Sequence, residues 1–129
     1  MRFRLAFTEG YYVTNIAPMK YWLMKSDIED YPLEKFIKDK VTPWEGVRNY
    51  QARNFMMNEM KPGDKGIFYH SNDKPSAAVA VLEIASEAKP DKLAQNKKSE
   101  YYDPKANPEK PIWFCVDVKY VKFGSSRQP

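Results

Sequence analysis

Trp44, Arg48, Asn49, Arg53, His70 and Ser71 have the types and spacing to do chemistry in this sequence. Trp44 stands among Thr42, Glu45, Arg48 and Asn49. A tryptophan ringed by polar groups in a turn suits a stacking platform for a planar ligand. The same ring is a natural core residue, because aromatics bury large areas, so both roles stay open. Arg48 and Arg53 are either solvated charges or phosphate contacts, for which the planar guanidinium offers paired hydrogen bonds. The Asn49 oxygen can cap a helix by accepting from the free N–H groups of its first turn. His70 is either a satisfied polar residue at a strand end or a pocket residue. A nucleophile–base pair reduces to Ser71 or Ser26 with His70. Ser71 adjoins His70, and neighbours on a strand point to opposite faces, which argues against catalysis of that kind.

Composition removes other classes of chemistry. One cysteine, Cys115, and one histidine exclude a zinc site built from Cys and His, which needs four ligands. No cofactor is expected. Gly63 and Gly66 are turn glycines rather than a phosphate loop. A chain of 129 residues, 15% of them aromatic, suits one packed domain. The net charge of +4 and pI of about 9.0 are compatible with a polyanion partner. The 17 acidic residues are interspersed with the 21 basic ones, so a bland basic protein fits equally well. A lone cysteine forms no disulfide within the chain and fits a reducing cytosol or nucleus. No apolar run approaches the roughly 18 residues of a membrane helix, and the apolar start is too short for a signal-peptide core. The expected location is the cytoplasm of a bacterium or the nucleus of a eukaryote, without secretion or a membrane partner.

These side chains need elements to position them. Residues 21–24 read as a strand. Pro32 opens a short helix with Leu33, Phe36 and Ile37 as its apolar stripe, and residues 41–43 end it before Pro43. Asn49 caps a helix over 50–59, whose buried face is Ala52, Phe55, Met56 and Met60. Lys61, Pro62, Gly63 and Asp64 stop that helix. Residues 66–71 read as a strand, residues 72–75 as its turn, and residues 77–84 as a strand covered on both faces. The proline-punctuated segment 86–111 is loop, of a length that is usually functional or mobile. Residues 112–123 read as one strand with Ile112, Phe114, Val116, Val118 and Tyr120 facing inward. Residues 1–18 show no clear period and are taken as an extension, with Met19 a candidate natural start. Residues 19–123 form the domain, and 124–129 are a disordered tail. The sum is an α+β chain, a small, partly open β-barrel decorated by short helices.

One set of motifs is specific. Tyr21-Trp22-Leu23-Met24-Lys25-Ser26, then Trp44-Glu45-Gly46-Val47-Arg48-Asn49-Tyr50-Gln51-Ala52-Arg53-Asn54, recur with Met60-Lys61-Pro62-Gly63-Asp64 and Phe68-Tyr69-His70-Ser71-Asn72. Tyr101-Tyr102-Asp103-Pro104-Lys105 and Pro108-Glu109-Lys110-Pro111 with Trp113 follow in order. Together, over roughly residues 19 to 122, the chain resembles the EVE domain family, that of thymocyte nuclear protein 1 and its bacterial relatives. The resemblance implies a PUA-like fold related to YTH and ASCH domains. It implies a non-enzymatic reader of modified bases in DNA, chiefly methylated or hydroxymethylated cytosine. Carried onto this chain, Lys25 and Ser26 would lie at a pocket rim, with Trp44 stacked on the base and Val47 alongside. Asn49 would be near the base edge, and Tyr69, His70 and Ser71 would close one wall. Arg48 and Arg53 would contact phosphate.

The chain departs from the family pattern in two places. After Lys25-Ser26 the family usually has Glu-Pro, and here Asp27-Ile28 follows, which implies a looser turn. The family also continues past residue 122 with a helix and a final barrel strand. The expectation is therefore a barrel lacking its closing strand, with an open edge beside 112–121 unless residues 1–18 fold back over it. An RNA-binding PUA-like module is the alternative reading, since only the 2′-OH separates the two and no residue reports on it. An ASCH-like enzyme ranks lower, with Lys25 and Asp27 as its only nearby charge pair.

Overall fold

The computed structural model describes residues 3–13, 18–27, 29–71 and 77–123, with backbone pairing alone over 3–21, 71 and 77. Ile28, the turn at 72–75 and the tail at 124–129 lie outside the described residues. In chain order the elements are β1 (Phe3–Val13), β2 (Pro18–Asp27), α1 (Leu33–Asp39), β3 (Val41–Pro43), α2 (Tyr50–Asn58), β4 (Lys65–Ser71) and β5 (Ala77–Ile84). Then come β6 (Lys89–Pro90), a 3-10 turn at Lys92–Gln95, β7 (Phe114–Cys115) and β8 (Asp117–Phe123). Six strands form one mixed sheet in the order β1-β2-β4-β5-β8-β3, and β6 pairs with β7 separately. Among the described strands, only β2 and β4 run parallel. A parallel pair needs a crossover, and α1, β3 and α2 supply it.

That parallel pair sets the geometry of everything that follows. Residues directly opposite on parallel strands share a face, and successive residues alternate. Trp22, Met24 and Ser26 on β2, with Gly66, Phe68 and His70 on β4, are buried, while Leu23, Lys25, Ile67 and Tyr69 are half-buried. A Cβ on Gly66 would meet Leu82 Cδ1 at 2.6 Å and the Trp22 carbonyl at 3.2 Å, so the close approach of Leu82 uses the missing side chain. Between β4 and β5 the register shifts at Phe68/Tyr69. The extra residue is Val79, and Val79 and Ala80 are both buried there, as a bulge allows. Phe68 is the centre of an aromatic cluster. Phe36, Tyr31 and Trp44 approach it at 5.0, 6.1 and 6.1 Å, each close to edge-on, the arrangement that ring quadrupoles favour.

Several sequence expectations are met and several are corrected. The capped helix forms over Tyr50–Asn58, with Ala52, Met56 and Met60 buried. The strand at 77–84 forms with the expected bounds. The short helix after Pro32 forms and buries Phe36, but Ile37 is 41% exposed. It sits next to Phe36 on a helix only seven residues long, whose buried face is narrow. The single strand expected over 112–123 is instead β7 and β8, separated at Val116. Trp113 and Cys115 are buried where Ile112 and Phe114 were expected, and from Val116 onward the expected phase holds. The break moves the inward set by one residue, since strand faces alternate with period two. Residues 89–95, expected as loop, hold a strand and a 3-10 turn.

Residues 3–13 pair antiparallel with β2, at the opposite end of the sheet from β8. They do not cover the edge beside 112–121. That edge is partly covered by β3, which pairs with residues 117–119 of β8. No helix among the described residues is long and apolar enough to cross a membrane.

Candidate functional site

The expected site residues divide between the two faces of the parallel pair. Ser26 lies opposite His70 and Lys25 opposite Tyr69. Ser26 and His70 are 0% and 2% exposed on the inner face. Lys25 and Tyr69 occupy the other face, with the Lys25 ammonium 5.7 Å from the Tyr69 ring centroid. Lys25 and Ser26 therefore do not share one rim, and Tyr69 and His70 do not share one wall, because strand neighbours point apart. Ser71 pairs with Asp27 at the end of β4, and its side chain lies outside the described residues.

The inner face gathers Ser26, His70, Phe68 and Trp44. His70 Nε2 lies 3.1 Å from the Tyr31 carbonyl. A carbonyl only accepts, so Nε2 carries the proton, and the ring packs edge-on to Phe68 at 4.9 Å. The Ser26 hydroxyl donates to the Asp27 carbonyl at 3.3 Å. Trp44 is wholly buried, and its backbone N–H donates to the Val116 carbonyl at 2.8 Å. Of the two roles open for Trp44, this state displays the packed one, edge-on to Phe68. Val47, 2% exposed, joins the same core.

The rest of the 44–54 segment is held by a residue that the sequence did not single out. Asp91 is wholly buried. Its Oδ2 accepts from Gly46 N at 2.8 Å and from Arg48 Nη1 at 2.9 Å, and its Oδ1 accepts from Leu93 N at 2.9 Å. Arg48 also donates through Nε and Nη2 to the Tyr101 carbonyl, at 3.1 and 2.9 Å. Gly46 takes φ +87, and a Cβ there would sit 3.3 Å from the Tyr101 ring. Glycine is therefore required twice over, by backbone angle and by space. The Arg48 guanidinium is spent inside the protein as a clamp between the 44–49 segment and the 91–101 loop, and not on solvent-facing phosphate. Its burial with Asp91, at 16% and 0% side-chain exposure, makes each the necessary partner of the other. Asp91 carries one local signal, its place as N-cap of the 3-10 turn.

Asn49 caps α2, its oxygen accepting from Ala52 N at 3.0 Å. Arg53 donates from Nη1 to the Ile112 carbonyl at 3.0 Å and from Nε and Nη2 to the Asn54 side chain. Trp113 donates its indole N–H to Asp103 Oδ2 at 2.8 Å. That bond, with the Lys105 N–H, holds the Asp103 carboxyl below its ordinary value. Burial pushes the Cys115 thiol up to about 12, with Asp91 and Glu45 adding to the effect, so it is a poor nucleophile. Among the described residues no group of His, Cys, Asp and Glu could hold a metal ion. A groove of about 350 Å³ beside Met57, Met60 and Phe114, and a smaller cavity of about 110 Å³ beside Glu45 and Cys115, include none of the expected site residues.

Against known proteins, the EVE domain family model matches residues 20–127. Human thymocyte nuclear protein 1 is 40% identical over 115 residues, 80% of this chain and 50% of its own length. A solved structure of a hypothetical protein from Leishmania major matches at a TM-score of 0.75 with 47% identity, covering 80% of this chain and 65% of that one. The structure of the human THYN1 protein in complex with 5-methylcytosine-containing DNA matches at a TM-score of 0.75 with 38% identity, covering 80% and 66%. The chain spans about half the length of the curated relatives it matches. These likenesses establish the α+β, PUA-like fold expected from the motifs.

Proposed function

This chain belongs to the EVE domain family, and we propose that it binds nucleic acid and holds a modified cytosine of DNA against the inner face of the β2–β4 pair. The observation that carries this is the match to the human protein in complex with 5-methylcytosine-containing DNA. The local chemistry supports it. His70 packs edge-on to Phe68, which in turn meets Trp44, and Ser26 lies opposite His70 on the paired strand, so two buried polar side chains and two aromatic rings share this face. Taking a base from a duplex costs a few kcal/mol, recovered by aromatic packing and hydrogen bonds to the base edge. Trp44 supplies the ring, and Ser26 and His70 the polar edge contacts, once the base displaces the contacts that now fill this face.

The role is binding rather than catalysis. Burial holds the Cys115 thiol protonated. The Lys25–Asp27 pair of an ASCH-like enzyme lies on the face away from Ser26 and His70. A nuclear location in a eukaryote, or a cytoplasmic one in a bacterium, follows from this role.

A methyl group contributes only about 0.8 kcal/mol by burial, roughly a fourfold preference, unless polar groups reject the unmodified base. The test is a fluorescence anisotropy titration with matched duplexes carrying cytosine, 5-methylcytosine or 5-hydroxymethylcytosine, in DNA and in RNA. The expected result is tighter binding of a modified DNA duplex by fourfold or more. Equal affinity for modified and unmodified DNA would overturn base reading. Preference for RNA would replace it with the RNA-binding module.

A further inference from the structure

Tyr50 is 56% exposed, yet its ring is not loose. It stacks on Trp113 at 4.7 Å with 18° between the planes. Trp113 is itself 5% exposed and is anchored through Asp103. Arg53 lies 4.8 Å from the Tyr50 ring centroid and 5.8 Å from that of Trp113. On the far face of Tyr50 its distance from Trp113 would approach the sum of the two ring distances. At 5.8 Å it flanks the stacked pair instead. The Tyr50 face turned away from Trp113 is therefore open, with a cation at its edge. Within the chain Arg53 uses three of its five N–H donors. Tyr50 also opens α2 directly after the segment that carries Trp44 and Val47.

We propose that Tyr50, braced by Trp113 and flanked by Arg53, is a second contact for the same nucleic acid. Its open face takes a base exposed when the neighbouring nucleotide leaves the stack, and Arg53 meets the adjacent phosphate. The proposal rests on the nucleic-acid reading above. Every base has a π-face, so such a platform adds affinity without adding sequence or methyl preference. A ring already immobilised by Trp113 loses little freedom on binding, which keeps the contact efficient.

The test compares the wild-type chain with Tyr50→Ala and Tyr50→Phe. The probe is a duplex bearing one 5-methylcytosine with 2-aminopurine as the next base. Wild type and Tyr50→Phe should change the 2-aminopurine emission on binding. Tyr50→Ala should abolish that change and weaken binding by about 5- to 150-fold, with the methylated-to-unmethylated ratio the same in all three. Thermal melts report whether Tyr50→Ala is folded. If it is not, the wild-type emission decides, and no change on binding overturns the platform. Unaltered affinity in a folded Tyr50→Ala also overturns it. Loss of methyl preference in place of affinity would put Tyr50 in the base pocket and overturn it equally. Wild type binding no duplex at all would remove the nucleic-acid reading together with the platform. That outcome is distinct from a wild type that binds while Tyr50→Ala binds as well.

Discussion

The inner face of the β2–β4 pair and the Asp91 clamp both hold the 44–54 segment, but by different physics. The inner face uses aromatic packing around Phe68, with Ser26 and His70 each bonded to a backbone carbonyl. The clamp uses one buried carboxylate that accepts from three donors, and an arginine spread over two carbonyls and that carboxylate. Packing tolerates exchange of partners of similar shape, so a planar ligand can replace contacts on the inner face. A buried ion pair does not tolerate losing one member. Recognition therefore suits the first region and positioning the second.

The strongest way to break this division is to remove the clamp. Asp91→Ala leaves Arg48 and the Gly46 N–H without their acceptor, and stability should fall by about 3–5 kcal/mol, read as a lower melting temperature. If the variant melts like wild type but loses DNA binding, the clamp belongs to the site instead. The inner face is probed by Trp44→Phe. This change keeps an apolar ring but shrinks it, and it should weaken binding of a methylated duplex by part of the about 1–3 kcal/mol that a whole stacking ring contributes, while the chain stays folded. Trp44→Ala is the poorer variant, since emptying a wholly buried site costs about 3–5 kcal/mol of stability by itself. A smaller effect separates the two arginines. Arg53→Gln should reduce the slope of log affinity against log salt by about 1, whereas Arg48, spent on Asp91 and Tyr101, should contribute nothing to that slope. A folded Arg48→Gln with a reduced slope would contradict the clamp assignment.

The smallest expected effect is on pH. Asp103 has a folded value below its ordinary 3.8. A lowered acid value stabilises the fold above the unfolded value, and the contribution is lost as pH falls through the folded one. The Trp113 brace should therefore weaken in acid, below about pH 4, followed by Trp113 fluorescence in a Trp22→Phe, Trp44→Phe background. In Asp103→Asn, whose side-chain oxygen still accepts but does not titrate, that acid change should vanish. Its persistence would locate the titration elsewhere.

What could be read in the sequence was local. The Asn49 cap and the helix after it follow from residues within a few positions of each other, and the strand at 77–84 from an apolar run with no charge before Glu83. The Lys25–Ser26 split was missed, because the first strand was read only over 21–24, whereas β2 continues to Asp27 and adjacent residues on a strand face apart. Asp91 was not legible as an anchor. Its partners Arg48 and Gly46 lie 43 and 45 residues away, and one aspartate after Lys89-Pro90 carries no pattern of its own. The burial of Trp113 and Cys115 was also hidden. It depends on the break at Val116 and on Ile112 at φ +65, a conformation that a β-branched residue rarely adopts, so alternation alone pointed to the wrong phase.

The central claim is that the inner face, and not the clamp, meets the modified base. The most direct measurement is an NMR titration of the chain with a DNA duplex carrying one 5-methylcytosine, against the same duplex unmodified. Resonances of Trp44, Phe68, Ser26 and His70 should shift most, and shift further with the methylated duplex. Shifts confined to Asp91, Arg48 and the 97–110 loop, identical for both duplexes, would contradict it.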